Sequence, residues 1–538
     1  MNDKRLHEFS NPFNFTTKDI NIVDVYNQKR LTLRKKKLDE KFSNFRKKKM
    51  NEDNTINDAL KPIESLSQSL NTLTSLLKSS NIDDIKYAVY TIRRFYQVND
   101  SIDIKETDAL LSKGFLSICI DIIKKFNDSI INNESLWILI NIFATSEGID
   151  KQYCNEALNE EFINIYTSFL LSGEKEIISS TLWLLANVIY GNANLCFILL
   201  EKFSSFFQLI CSFIKEEHHI DSEILLRCSQ FISLCLKITL NNNICEKKNV
   251  LQNIKLGVEK LVLIFLANNS IDTRIISLKG IVHILELDSE DQNLNINSLN
   301  NKYDLIYYIL NQEKLSPYFT NVNSQQNESL SWFYYIYLVN RMFNLLIVQL
   351  RTYDVNLMIK SGLIEFYIKI YDNRSIFNYD TNKNRKNEIF REITESLCSL
   401  CQISENLVIK ILSSKLIHFL CNDILTSSTM TNTATTLAVF FYSLSYDSTE
   451  ISDIIYKTGV IDNVLNILEN HTQYTKEVID VSIKITHYYL ETYRNEILKP
   501  KNYDLIKERY LECLDAIYLS NSQFITEKLY TYIKNFNY

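Results

Sequence analysis

The sequence predicts an all-α repeat solenoid carrying a basic N-terminal arm, and three observations predict it. The first is punctuation: 538 residues contain only 8 Gly and 4 Pro. Turn-rich sandwiches, barrels and propellers use far more of both. Phosphate-cradling loops need several glycines within a few residues. Here Gly114, Gly148, Gly173, Gly191, Gly257, Gly280, Gly362 and Gly459 stand singly. The second is content: 46% hydrophobic and 12% aromatic residues supply a large core and exclude wholesale disorder. The third is the recurrence of one apolar helical segment at a regular period.

The arm comes first along the chain. Between Lys29 and Lys49 lie eleven basic residues and two acids, Asp39 and Glu40. That stretch holds +9, so a chain of net charge −6 holds −15 elsewhere. The segment LTLRKKKLDEKFSNFRKKKM reads as a helix from about Leu31, with Leu31, Leu38, Phe42 and Phe45 spaced by seven, four and three. Such a short helix is marginal alone and is expected to fold on an acidic, concave partner. A solvated arm or a nucleic-acid tail is the plainer alternative. The −15 body opposes direct nucleic-acid binding. Met1 to Ser10 (MNDKRLHEFS) lacks the apolar stretch of a secretory leader. The eleven scattered cysteines then point to a reducing compartment and buried thiols.

The organisation expected is a basic segment at 1–55, a polar linker at 56–75 and a repeat domain of about ten repeats at 76–538. Two copies define the repeat: NESLWILINIFATSEG, with Trp137 and Asn141, and SSTLWLLANVIYGNAN, with Trp183 and Asn187. They lie 46 residues apart, within the period of roughly 40–47 of armadillo or HEAT units. LLRCSQFISLCLK places Phe231 and Cys235 at the same offset. Weaker echoes follow in SLKGIVHILELDSED, ESLSWFYYIYLV, ITESLCSLCQIS, TLAVFFYSLS and VSIKITHYYLE. Polar stretches near 290–330 and 372–388 read as loops. The uncharged runs 177–200 and 424–446 are long enough to span a bilayer. The first is broken by Asn187, Gly191, Asn192 and Asn194 and the second is diluted by Ser and Thr, so no membrane association is expected.

Residues four apart share one helix face, and in a solenoid the equivalent helix of each repeat lines the concave surface. Trp137/Asn141 and Trp183/Asn187 would then alternate indole faces with carboxamides. Indoles accept the stems and cationic heads of Lys and Arg. Carboxamides both donate to and accept from an extended peptide backbone. The expectation is a groove for a basic, extended peptide. The competing expectation, that each Trp is simply core, is weakened by the identical Asn in two repeats.

With these residues in view, the chain resembles the importin-alpha (karyopherin-alpha) family, armadillo-repeat adaptors that carry nuclear-localisation-signal cargo. RLHEFSN and LTLRKKKLDEKFSNFRKKKM are similar to its importin-beta-binding domain, and NIDDIKYAVYTIRRF to its first armadillo repeat. The Trp137/Asn141 and Trp183/Asn187 repeats match the family's major cargo site. DAIYLSNSQFITEKLYTYIKNF resembles the closing repeat. The resemblance implies a right-handed superhelical armadillo solenoid that shuttles between cytoplasm and nucleus. Its implied partners are importin-beta, signal-bearing cargo proteins and a nuclear export receptor for recycling. Arg34, Lys35, Lys36 and Lys37 would contact importin-beta. Arg46, Lys47, Lys48 and Lys49 would fill the cargo groove when no carrier is bound, through a tether of roughly 25–30 residues giving a near-millimolar effective concentration.

The departures carry expectations of their own. The family's first arginine run, due near Val23 to Tyr26, is absent. Phe231 stands where a third cargo-site Trp is due, with Cys235 in place of its Asn. The acid after the Trp183 motif is replaced by Gly191 or Asn192, and Asp150 is expected to supply that charge from the neighbouring repeat. In the second half Trp332 is followed by Ile336 and Phe440 by Leu444, so no Trp/Asn pair can be written. Bipartite signals are therefore expected to gain little over monopartite ones.

No catalytic residue, cofactor or metal is expected. His7, His218, His219, His283, His418, His471 and His487 are scattered, apart from the adjacent His218 and His219, and none sits in a motif of hydrolytic or zinc chemistry. Cys398 and Cys401 form a lone CxxC inside an apolar run, without the second pair a zinc site uses. The alternative to an import adaptor is a generic armadillo scaffold, indifferent to lysine-rich ligands.

Overall fold

A computed structural model of the chain describes residues 66–98, 104–126, 128–144, 151–190, 192–214, 221–241, 248–267, 270–288, 306, 309–310, 326–349, 352–374, 383–426, 429–494 and 499–519. The arm, with Arg34 to Lys37 and Arg46 to Lys49, lies outside the described residues, as do Asp150 and the last part of the closing repeat. The chain divides into two compact units, Met1–Glu156 and Ala157–Tyr538. All regular structure among the described residues is helical.

The first unit contains α1 (Leu66–Leu77), α2 (Ile82–Val98), α3 (Ile104–Ser112), α4 (Phe115–Phe126), α5 (Ser129–Ala144) and α6 (Lys151–Glu156). Helix α1 starts inside the expected linker and runs two residues past its end. Its polar composition hides a leucine stripe, Leu66, Leu70, Leu73 and Leu77, whose members are all buried. They seat α1 on α2, α3 and α4. Each such leucine contributes about 1.5–3 kcal/mol on burial, which outweighs the Asn, Ser and Thr on the other faces. Asp128 starts α5 by accepting the backbone N–H groups of Ile130 and Ile131 at 2.9 and 3.1 Å. Lys86 of α2 reaches the same carboxylate at 3.1 Å and ties the two helices together.

The second unit runs α7 (Glu160–Leu170), α8 (Lys175–Ile189), α9 (Ala193–Glu201), α10 (Ser204–Ser212), α11 (Ser222–Asn241), α12 (Lys248–Ala267), α13 (Ile271–Asp288), α14 (Gln326–Gln349), α15 (Thr352–Lys360) and α16 (Leu363–Asp372). It continues with α17 (Lys383–Cys401), α18 (Glu405–Leu412), α19 (Leu416–Thr426), α20 (Met430–Leu444), α21 (Thr449–Lys457), α22 (Val460–Glu469), α23 (Lys476–Arg494) and α24 (Tyr503–Leu519). Helices α8, α11, α13, α14, α17, α20 and α23 form a stack in which each packs on the next. Every motif copy read from the sequence of this unit lies on that stack. The copies had kept their apolar spacing because both flanks of each stacked helix are buried by its neighbours. This is the arrangement of an α-solenoid.

Helices start earlier than the polar composition suggested, α14 at Gln326 and α17 at Lys383. Glycines hold three of the turns between the short helices: Gly114 (φ +77°), Gly362 (φ +103°) and Gly459 (φ +76°). In another repeat Ser413 and Ser414 take that turn, Ser414 accepting the backbone N–H of Leu416 at 3.2 Å. Among the described residues no single helix is long and apolar enough to cross a membrane. One bent pair, α9 and α10 at 82°, reaches that length and composition together. The run 177–200 is split between α8 and α9, and 424–446 between α19 and α20. Cys401 is fully buried, and the Cys398 thiol donates to the Thr435 carbonyl of α20 at 3.4 Å.

Candidate peptide-binding site

In the first unit, α5 carries Trp137 and Asn141, and both are buried, at 5% and 7% exposure. The Asn141 amide donates to the carbonyl oxygen of Trp137 at 2.7 Å, a bond within its own helix. Arg93, projecting from α2, lies over the indole with its guanidinium carbon 5.0 Å from the ring centroid. Its Nη1 donates to both carboxylate oxygens of Glu134, one turn before Trp137. Burial outweighs the Arg93 charge and holds the Glu134 carboxyl above its ordinary range. Arg93 is therefore held between the Trp137 ring and the Glu134 carboxylate.

In the second unit, α8 presents Trp183 and Asn187 half-buried. The register to α11 repeats the Lys–Asp tie of the first unit: Lys175 binds Asp221 at 3.0 Å, and Asp221 accepts the N–H of Glu223. The Ser179 hydroxyl donates to Glu223 at 3.2 Å. Arg227 lies over the Trp183 ring at 4.4 Å. It donates from Nη1 to the Gln230 side-chain oxygen at 3.2 Å. Its ionic contact with Glu223 is longer, 3.8 Å.

The third rung is corrected by the structure. Phe231 is fully buried and turns its ring toward Phe207 of α10, centroids 6.4 Å apart. Cys235 is fully buried too, its carbonyl accepting from the Cys196 thiol at 3.5 Å. These residues belong to the core because α11 is covered by α9 and α12 as well as by its stack neighbours. The side chain α11 brings over Trp183 is Arg227, with Gln230 accepting from it. Matching aromatic to aromatic along the sequence passes over it.

A polar network on α13, α14 and α17 was not anticipated. Arg341 donates from Nε to Glu286 at 3.1 Å and from Nη1 to Glu392 at 3.4 Å. The Asn344 amide donates to Glu392 and to Glu395, both at 3.0 Å. The Glu392 side chain is 1% exposed. Burial, and then the charge of Glu392, push the Glu395 carboxyl up to about 7. Burial also acts on Glu286, but His283 and Arg341 together hold it below its ordinary range. On the same helix Asn340 donates to the Ile336 carbonyl at 2.8 Å, the bond Asn141 makes to Trp137. Ile336 and Asn340 thus occupy the positions of the Trp and Asn in this repeat. The spacing of Asn340 and Asn344, with Glu392 and Glu395 three apart, was the available signal. A search that required Trp could not register it.

In the second unit the stacked helices carry the half-buried Trp183 and Asn187 on α8 and the Asn344–Glu392–Glu395 cluster on α14 and α17. The chain matches no known family and no curated protein. Among solved structures it is similar to one from work on a phosphorylation switch controlling the interaction between cadherin and beta-catenin. That likeness has 11% identity and a TM-score of 0.50, over 86% of this chain and 80% of that one. A designed armadillo repeat protein is 13% identical with a TM-score of 0.34, over 46% of this chain and 93% of its own. An engineered protein is 14% identical with a TM-score of 0.35, over 46% and 90%. The broad likeness shows the fold: an all-α, armadillo-like solenoid.

Proposed function

We propose that this chain is an adaptor of nuclear import, a peptide-binding scaffold that holds Lys/Arg-rich nuclear localisation signals and joins them to importin-beta through residues 1–55. The observation that carries the reading is the Trp–Asn pair at i, i+4, recurring 46 residues apart in a chain whose arm holds +9. Half-buried Trp183 and Asn187 supply an indole face for a lysine stem and an amide for a peptide backbone. Asp150 provides the anion for the principal cargo lysine. Arg46 to Lys49 compete for the cargo site in the absence of a carrier, and Arg34 to Lys37 bind importin-beta. Carrier binding then raises cargo affinity by linkage. An export receptor returns the emptied adaptor, which shuttles between nucleus and cytoplasm.

The test uses the full chain. Wild-type protein is expected to retain importin-beta in a pull-down, and charge reversal at Arg34, Lys35, Lys36 and Lys37 is expected to abolish it. Equal capture by both proteins overturns the proposal. A second reading, a general armadillo scaffold for extended peptides, is favoured by one observation: the indole of Trp137 already carries the chain's own Arg93. That reading expects no preference between lysine-rich and neutral peptides.

A further inference from the structure

Trp137 and Trp183 each carry an arginine of the same chain, but the two arginines are held very differently. Arg93 has a side chain 7% exposed and is bonded through Nη1 to both oxygens of Glu134, itself 14% exposed. Lifting Arg93 off Trp137 would strand a buried carboxylate. Arg227 is buried as deeply, with a side chain 6% exposed. Its anion, Glu223, stands at 3.8 Å, is 52% exposed, and already accepts the Ser179 hydroxyl. The Nε of Arg227 has no hydrogen-bond partner among the described residues, and neither has the amide nitrogen of Gln230. Burial depresses the Arg227 guanidinium to about 10, which Glu223 only partly opposes. A desolvated cation with one loose counter-ion gains hydration when it leaves. Only the Gln230 side-chain oxygen loses a partner behind it, while Glu223 stays exposed and keeps the Ser179 hydroxyl.

We propose that Arg227 is a displaceable occupant of the Trp183 face, whereas Arg93 is a fixed part of the Trp137 layer, so a basic ligand side chain is accepted at Trp183 and refused at Trp137. The inference rests on the reading that the stacked helices take a basic peptide, and it adds which rung works and what gates it. The exchange is cation for cation: a ligand lysine takes the indole face as the guanidinium swings to solvent. Local net charge is unchanged. Arg227 thereby sets a threshold that a single weakly held lysine does not pass.

Two measurements on the full chain test this. In the first, a fluorescein-labelled oligolysine peptide is titrated by anisotropy. Arg227→Gln, which retains a partner for Gln230, is expected to tighten binding roughly 3-fold or more, the scale of one exposed cation–π contact. Arg93→Gln is expected to give no gain and a lower melting temperature. Unchanged or weaker binding by Arg227→Gln, with the wild type binding, overturns the inference alone. In the second, caesium quenching of indole emission is read without peptide in Trp137→Phe/Trp332→Phe protein, which retains only Trp183. Arg227→Gln is expected to raise the quenching constant several-fold, and an unchanged constant overturns the gating role. If no protein binds the peptide while quenching still rises, the basic-peptide reading falls and the displaceable arginine stands.

Discussion

Asn344 donates its side-chain amide to Glu395 at 3.0 Å, and to Glu392 at the same distance. One carboxamide therefore bridges two carboxyl groups in a partly buried site, where both cannot ionise freely. Glu395 is the one displaced, up to about 7 from an ordinary 4.5, by burial first and by the Glu392 charge second. Since the fold raises this pKa, the stability it contributes is fully present below about 4.5 and is lost as pH rises through about 7. Glu395→Gln should melt with the wild type at pH 4 and above it at pH 8, by up to about 3 kcal/mol. Thermal melts at pH 4 and pH 8 check this, and a pH-independent difference would refute it.

Breaking the pair beneath Trp137 should be costly. Glu134→Ala leaves the Arg93 guanidinium buried against an indole without its carboxylate. The expected loss is about 3–5 kcal/mol. Glu223→Ala, which removes a mostly solvated carboxylate 3.8 Å from Arg227, should lose less than about 1 kcal/mol. Denaturant midpoints of the two variants should differ in that order.

Two glycines should fail for opposite reasons. A Cβ on Gly280 would meet Ser233 Oγ at 3.0 Å and collide with Leu261, at the close approach of α13 to α11 and α12. Gly280→Ala should destabilise by about 1–3 kcal/mol through overpacking. Gly114 has open space around it but a φ of +77°. Gly114→Ala should lose about 1–2 kcal/mol through backbone strain alone. Adding space by Leu261→Ala should relieve the first variant's clash and leave the second unaffected, as double-mutant melts would show.

The two asparagines should separate in binding. Asn141 is buried with its amide directed to Trp137, whereas Asn187 is half-buried beside Trp183. Asn187→Ala should weaken an oligolysine peptide by about 2- to 10-fold, the range of one net hydrogen bond. Asn141→Ala should change it less than about 2-fold. Anisotropy titrations of the two variants decide this, and a larger effect at Asn141 would reverse the assignment.

How far the sequence could be read follows from what each feature depends on. The stacked helices were legible because an apolar spacing of 3.6 survives substitution of Trp by Phe, Ile or Tyr. Helix α1 was not, since five leucines in twelve residues are diluted by Asn, Gln, Ser and Thr. The burial of Phe231 depends on the helices covering α11, which no local pattern encodes. The arginines over Trp137 and Trp183 come from 44 residues before one and 44 after the other. No spacing within either motif announces such a partner. The network around Arg341 likewise joins α13 to α17 through side chains 51 and 55 residues from Arg341. Pattern within a helix was readable, and contact between repeats was not.

The nearest-neighbour stacking of α8, α11, α13, α14, α17, α20 and α23 also bears on synthesis. Each of these helices buries its second flank against the next one, with helices lying between them in sequence adding cover, as α9 and α12 do for α11. At ribosomal speeds of about 5–20 residues per second, a partner roughly 45 residues downstream emerges within some seconds. The second unit can therefore dock helix by helix as it leaves the ribosome, with at most one unfinished apolar flank at the growing end. A nascent chain halted part-way should already protect its completed layers from protease.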